Sequence, residues 1–204
     1  ALDEKVFRAE SLGGIYKNGL GMIHRFEVKP GDVLLGRGRM IHAVGPGVTM
    51  VEIMEPTDIT VIPEKFCCGE EIAFERRFAR LSPEDALGVI DYTPRSREET
   101  LALCQPEAEL VQTRRCGQIF NRIARTPDFN FFGAQWLEFS GKWDFDLSER
   151  SFRVGIVVDG SAQAVFPGGS FSLARGESFF IPYSCENFVL DGKAHLAILL
   201  PPLP

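Results

Sequence analysis

Short runs of branched and aromatic residues, broken every few positions by glycine and proline, dominate the chain. Residues 22–28, 33–35, 41–44 and 48–54 have this character in the first half, with turns at Lys29-Pro30-Gly31 and Gly45-Pro46-Gly47. Such spacing predicts short strands rather than helices. The second half behaves alike. Residues 152–158 and 162–166 flank Asp159-Gly160, which reads as a tight hairpin. Pro167-Gly168-Gly169, Arg175-Gly176 and Asp191-Gly192 punctuate further strands as far as Ile198. Helix is expected mainly between these halves. Ser82-Pro83-Glu84-Asp85 has the form of a capping box with proline at the first helical position. Ser96-Arg97-Glu98-Glu99 opens a second helical stretch that Pro106 ends. The pattern predicts a mainly β protein, an antiparallel barrel or sandwich with a short helical connection.

An internal repeat sharpens this picture. Gly31-Asp-Val-Leu-Leu-Gly-Arg-Gly-Arg-Met-Ile-His42 aligns without a gap on Gly176-Glu-Ser-Phe-Phe-Ile-Pro-Tyr-Ser-Cys-Glu-Asn187. Both copies read as glycine, acid, an apolar run, a tight turn and a polar residue on the next strand. Such self-similarity implies two copies of one architecture. The expected organisation is a first unit over 1–91, a linker over 92–107 where proline and charge are frequent, and a second unit over 108–204.

Composition narrows the function. Twenty-eight acidic against 22 basic residues give a net charge of −6, which argues against nucleic-acid binding, for which a basic face is needed. Seventeen phenylalanines supply bulky core material. The five cysteines follow no zinc-ribbon or CxxC spacing and read as inert thiols of a reducing compartment. No apolar run is long enough to span a bilayer and no secretory leader is visible, so a cytoplasmic location is expected. The chain starts at Ala1, which implies processing, trimming or excision from something longer.

Of three histidines, His42 stands out, because it follows a glycine-rich turn and opens a strand. Glu52 shares the face of an extended 48–54 with Val48, Met50 and Met54, an apolar side on which a carboxylate needs a partner or a task. Asp58 follows, as a further oxygen donor or a turn cap. Histidine with carboxylates suits zinc or another divalent ion. Arg37 and Arg39, in the turn before His42, are placed either to face a phosphate or to lie solvated. His24 reads as solvent-facing and His195 as structural.

The repeat is similar to the second conserved motif of the cupin superfamily, and the flanking residues resemble class I mannose-6-phosphate isomerases. The resemblance is carried by Lys29-Pro30-Gly31-Asp32, by Ile41-His42-Ala43-Val44-Gly45-Pro46-Gly47, and by Val51-Glu52-Ile53-Met54-Glu55-Pro56-Thr57-Asp58. It continues through 156–160 and 176–182, and covers the C-terminal part of such an enzyme. It implies tandem double-stranded β-helix (jelly-roll) barrels and zinc-dependent interconversion of mannose 6-phosphate and fructose 6-phosphate. His42 would be a metal ligand and Glu52 the carboxylate near the moving proton; Arg37, Arg39 and Asp58 are candidate substrate contacts by their own positions. The family's Gln-x-His ligand pair has no counterpart here, and Ile62 stands where its catalytic arginine is expected. The second copy keeps the motif's proline as Pro182, but Asn187 stands in place of the histidine, which implies a metal-free barrel.

The first unit offers roughly half the strands of a barrel, which leaves edges uncovered. It is expected to be completed by a homodimeric partner or by a missing N-terminal segment. The rival expectation is a non-catalytic sugar-binding or regulatory cupin, in which Trp136 or Trp143 stacks a sugar.

Overall fold

The computed structural model describes residues 23–55, 60–67 and 69–203. They form two compact units, one built from residues up to Thr49 and from 60–105, the other from Met50–Glu55 and Pro106–Pro204. The chain is mainly β, with antiparallel pairing throughout.

In the first unit, β1 (Phe66–Cys67) and β2 (Glu70–Glu71) make a two-stranded pair. Three short helices follow: α1 (Phe74–Arg77), α2 (Pro83–Gly88) and α3 (Arg97–Cys104). Ser96 caps α3 in a reciprocal box, accepting from the Glu99 N–H while the Glu99 carboxylate accepts from the Ser96 N–H. At α2 the box is only half made. Ser82 accepts from the Asp85 N–H, but the Asp85 carboxylate takes the Ser82 hydroxyl at 2.7 Å. Aspartate is one methylene shorter than glutamate, so it meets the cap side chain rather than the cap backbone.

The strands expected over 23–54 run extended, without a ladder among the described residues. Their turns are in place, with Gly31 at φ 89° and Gly47 at φ 82°. Some of the ladder groups instead bond within the unit: Leu35 N–H donates to Cys104 C=O at 2.7 Å, and Asp91 N–H to Arg39 C=O at 2.9 Å. Backbone donors without a sheet neighbour take the partners at hand.

The second unit is one antiparallel sheet of seven strands. They are β3 (Glu109–Arg114), β4 (Gly117–Ile123), β5 (Gly133–Asp144), β6 (Arg153–Phe166), β7 (Gly169–Ala174), β8 (Ser178–Ile181) and β9 (Val189–Leu200). Their order is β3-β4-β5-β9-β6-β7, with β8 on β6, an arrangement consistent with a jelly roll. Leu137, Phe139 and Trp143 of β5, Val157 and Ala164 of β6, and Leu190, Leu196 and Ile198 of β9 close a continuous apolar interior. Trp143, at 1% exposure, is core and therefore cannot stack a ligand.

Two expected turns are not turns. Asp159-Gly160 lies inside the continuous β6, where the register against β9 shifts between Val157 and Asp159. Asp191-Gly192 lies inside β9. Glycine is required at both because backbones nearly touch. A Cβ on Gly192 would stand 2.5 Å from the Ser161 carbonyl oxygen and 2.8 Å from the Ala162 Cα. By contrast Pro167-Gly168 is a two-residue hairpin loop, closed by the pair Phe166–Gly169.

Candidate functional site

The two copies of the repeat keep the same local backbone. Gly31 and Gly176 have φ of 89° and 87°, an extended run follows each, and a tight turn comes at Gly38-Arg39 and at Tyr183-Ser184. Only the second extended run becomes a laddered strand, β8 on β6. Eleven residues after each glycine stand His42 and Asn187, both exposed.

The His42 ring lies over Gly36, whose Cβ position is 3.5 Å from its Cε1 and Nε2. Its Nδ1 is 3.0 Å from the Met40 carbonyl. A carbonyl can only accept, so Nδ1 is the donor of this bond, and in the neutral ring Nε2 would present its lone pair. That is the tautomer a metal-ligating imidazole adopts when its other nitrogen is anchored. Zinc, however, needs three or four protein groups. No group of three His, Cys, Asp or Glu is arranged to hold a metal among the described residues. By themselves these residues do not fit the ion.

Glu52 is exposed, and its stretch belongs with the second unit. Asp58 lies outside the described residues. Arg37 and Arg39 bind backbone: Arg37 Nε donates to Leu103 C=O at 3.4 Å and Arg39 Nε to Val89 C=O at 2.7 Å. Arg39 itself adopts φ 71°, a left-handed conformation unusual for a long side chain. Both arginines therefore tie the turn that precedes His42 to the helical stretch of the same unit. Ile62 is half-buried and donates its N–H to Arg77 C=O at 2.7 Å. His24 is exposed and donates from Nε2 to Arg95 C=O at 2.8 Å. Beside it, hydrogen bonds from Thr93 and from the Arg95 guanidinium hold the Asp91 carboxyl well below the usual range.

His195 has no acidic neighbour along the chain, yet the register sets it opposite Glu138 of β5 and Asp159 of β6. Trp136 shares this outer face. Its ring lies 6.0 Å from the imidazole and its Nε1–H donates to Glu138 at 2.7 Å. The face is a surface network rather than a pocket.

Sequence reasoning missed a charged cluster behind the 145–152 loop. Arg125 grips Glu149 with both terminal nitrogens, at 2.7 and 2.8 Å, and donates also to Pro201 C=O. Arg153, 7% exposed, lies nearby with one terminal nitrogen buried and unpartnered. Burial pushes its guanidinium down, while Glu149 and then Asp146 oppose that shift. The Arg125 hydrogen bonds hold Glu149 below the ordinary carboxylate value of 4.5. A carboxyl depressed in the folded state stabilises above its unfolded value, and that stability is lost as pH falls through the folded one. Glu149→Gln is therefore expected to cost roughly 1–2 kcal/mol at neutral pH, since the 42% exposed carboxylate is partly screened. Urea melts at several pH values check this: the variant should lose part of the decline in stability below about pH 4.5. An unchanged profile would remove the cluster from the account.

Residues 123–201 match the family model described as mannose-6-phosphate isomerase, cupin domain. Over 183 residues the chain is 22% identical to the probable mannose-6-phosphate isomerase GmuF of Bacillus subtilis (strain 168), covering 89% of this chain and 52% of that protein. It thus spans about half the length of that curated relative. Among solved structures it is similar to the mannose 6-phosphate isomerase of Bacillus subtilis, at 15% identity over 64% of this chain and 35% of that one, with a TM-score of 0.47. KdgF from Halomonas sp. is similar at 19% identity over 47% of this chain and 89% of that one, with a TM-score of 0.39. The second unit therefore carries a mannose-6-phosphate isomerase-like cupin domain. Among the described residues no helix is long and apolar enough to cross a membrane.

Proposed function

We propose that this chain, with its mannose-6-phosphate isomerase-like cupin domain, serves the cytoplasmic, zinc-dependent interconversion of mannose 6-phosphate and fructose 6-phosphate. The observation that carries the reading is the family match over 123–201, supported by the weaker likeness over most of the chain. Isomerisation moves a proton between C1 and C2, and a carboxylate within reach of both carbons can take it up and return it. Glu52, exposed and acceptor-only when ionised, is our assignment for that group. His42 is our assignment for one metal ligand, its Nε2 lone pair left open by the Nδ1–Met40 bond. Because the described residues supply no complete ligand set, the remaining ligands are assigned to further polypeptide or to a partner copy. The same addition would complete the first unit's unpaired strands.

A second reading is favoured by Ile62, an apolar residue at the expected arginine position, and by Asn187, which stands where the repeat would otherwise place a second histidine. In it the chain binds a sugar phosphate without converting it. A coupled assay on mannose 6-phosphate, across zinc concentrations, of the chain together with the polypeptide that completes the ligand set separates the two. Turnover that rises with zinc and falls at least about a hundredfold in Glu52→Gln is the expected result, general-base groups contributing on that order. No turnover at any zinc level, with saturable binding of the sugar phosphate, would leave the second reading standing.

A further inference from the structure

One end of the second unit carries a pocket that the isomerase reading does not use. It has a volume of about 340 Å³, at the small end of the range for ligand sites, and four phenylalanines line it: Phe166, Phe171 and Phe188, whose rings neighbour one another, and Phe180 at its edge. These rings come from β6, β7, β8 and the segment before β9, so four separate pieces of backbone converge on one space. They do not stack into a flat patch. Phe166 and Phe171 lie 5.8 Å apart at 56°, and Phe171 and Phe188 lie 6.4 Å apart at 52°. Rings tilted in this way wall a cavity from different sides.

The floor is buried and the mouth is open. Phe188 is 3% exposed and stacks at 5.4 Å and 14° on Phe179, which itself packs over Gly155. Phe171 and Phe180, at 37% and 58% exposure, leave apolar faces to solvent. Exposed aromatic rings grouped around a cavity are the usual mark of a ligand site.

Charge selects the ligand. Among the residues lining the pocket Glu186 is the one acid, and no lysine, arginine or histidine joins it. Arg150 lines a neighbouring cavity that shares Glu186, yet the two form no ion pair among the described residues. A net charge of −6 adds an attractive field for cations. Aromatic faces present negative quadrupole, and a carboxylate beside them completes the environment that holds an alkylated ammonium group. An anion would meet the Glu186 carboxylate, and a sugar would find only Ser184, Cys185 and Glu186 as polar side chains among hydrocarbon rings.

We propose that this pocket binds a small quaternary ammonium ion, its methyl groups against the phenylalanine rings and its charge facing Glu186. The site is independent of the isomerase reading, whose substrate is an anion. The test uses the purified chain, with choline and its neutral isostere 3,3-dimethylbutan-1-ol as probes and NMR titration as the readout. Choline is expected to bind about tenfold tighter than the isostere, with shifts confined to Phe166, Phe171, Phe188 and their neighbours. Glu186→Gln should erase most of that preference while leaving the isostere's affinity within about twofold. Phe171→Leu, which keeps apolar volume without the ring, should weaken choline about fivefold and the isostere little. Equal affinity for the two probes, binding of neither, or a preference that survives Glu186→Gln would each overturn the proposal.

Discussion

Trp143→Ala is expected to cost about 3–5 kcal/mol, the range for emptying a buried tryptophan site. Across chains of this size each kcal/mol lowers the melting temperature by roughly 2–4 °C, so a fall of about 6–20 °C should appear in a thermal scan. Three observations set the scale. The side chain is 1% exposed, it belongs to the continuous apolar interior, and the Arg114 guanidinium covers its ring at 4.7 Å. Removing the ring opens a cavity bordered by residues of several strands, and it deprives a partly buried cation of its π partner. Trp136→Ala is the control. That side chain is half-buried on the outer face and held by one hydrogen bond to Glu138, so about 1 kcal/mol is expected. If the two tryptophans were interchangeable sugar-stacking residues, both variants would instead lose ligand affinity with little loss of stability. A urea midpoint unmoved by Trp143→Ala would mean that the interior is not organised as described.

The fold class was legible because hydrophobic alternation and turn chemistry are local signals. Pro167-Gly168 forms the hairpin its residues demand, Ser96 and Glu99 close their capping box, and Gly31 and Gly176 take up matching positive φ. What could not be read is long-range. Whether residues 41–44 become a strand depends on a neighbour to pair with, and a single run of sequence carries no record of that neighbour. The same limit hid the Arg125–Glu149 grip, 24 positions apart, and the aromatic pocket, whose rings looked like generic core material. Trp143 and Trp136 lie seven positions apart on one strand and are equally apolar in the sequence, yet the inward and outward faces of β5 give them opposite surroundings. Asp159-Gly160 was misjudged for another reason. A glycine serves a turn and a close backbone approach alike, and the dipeptide does not say which.

That ambiguity makes Gly160 the sharpest test of the sheet. In a two-residue turn asparagine tolerates the left-handed conformation, so Gly160→Asn would cost a few tenths of a kcal/mol, and alanine about 1. In the structure Gly160 has φ 79° within a fourteen-residue strand paired to β9. A Cβ there strikes the Lys193 carbonyl oxygen and stands 2.9 Å from the Ala194 Cα. Both obstacles are backbone in the central strand of the sheet, so neither can swing aside as a side-chain tip would. Relief requires β6 and β9 to separate, and their pairing is shared by Leu196, Ile198 and the rest of the inner face. Gly160→Asn and Gly160→Ala are therefore expected to be alike in effect, each costing about 3 kcal/mol or more from strain and overpacking together. Gly176→Asn serves as the comparison, because φ there is 87° but nothing lies within 4 Å of its Cβ position. It should lose well under 1 kcal/mol. Equilibrium urea melts of the three variants decide the matter: a Gly160→Asn protein as stable as Gly176→Asn would mean that the chain turns at Asp159-Gly160 and that β6 is two strands.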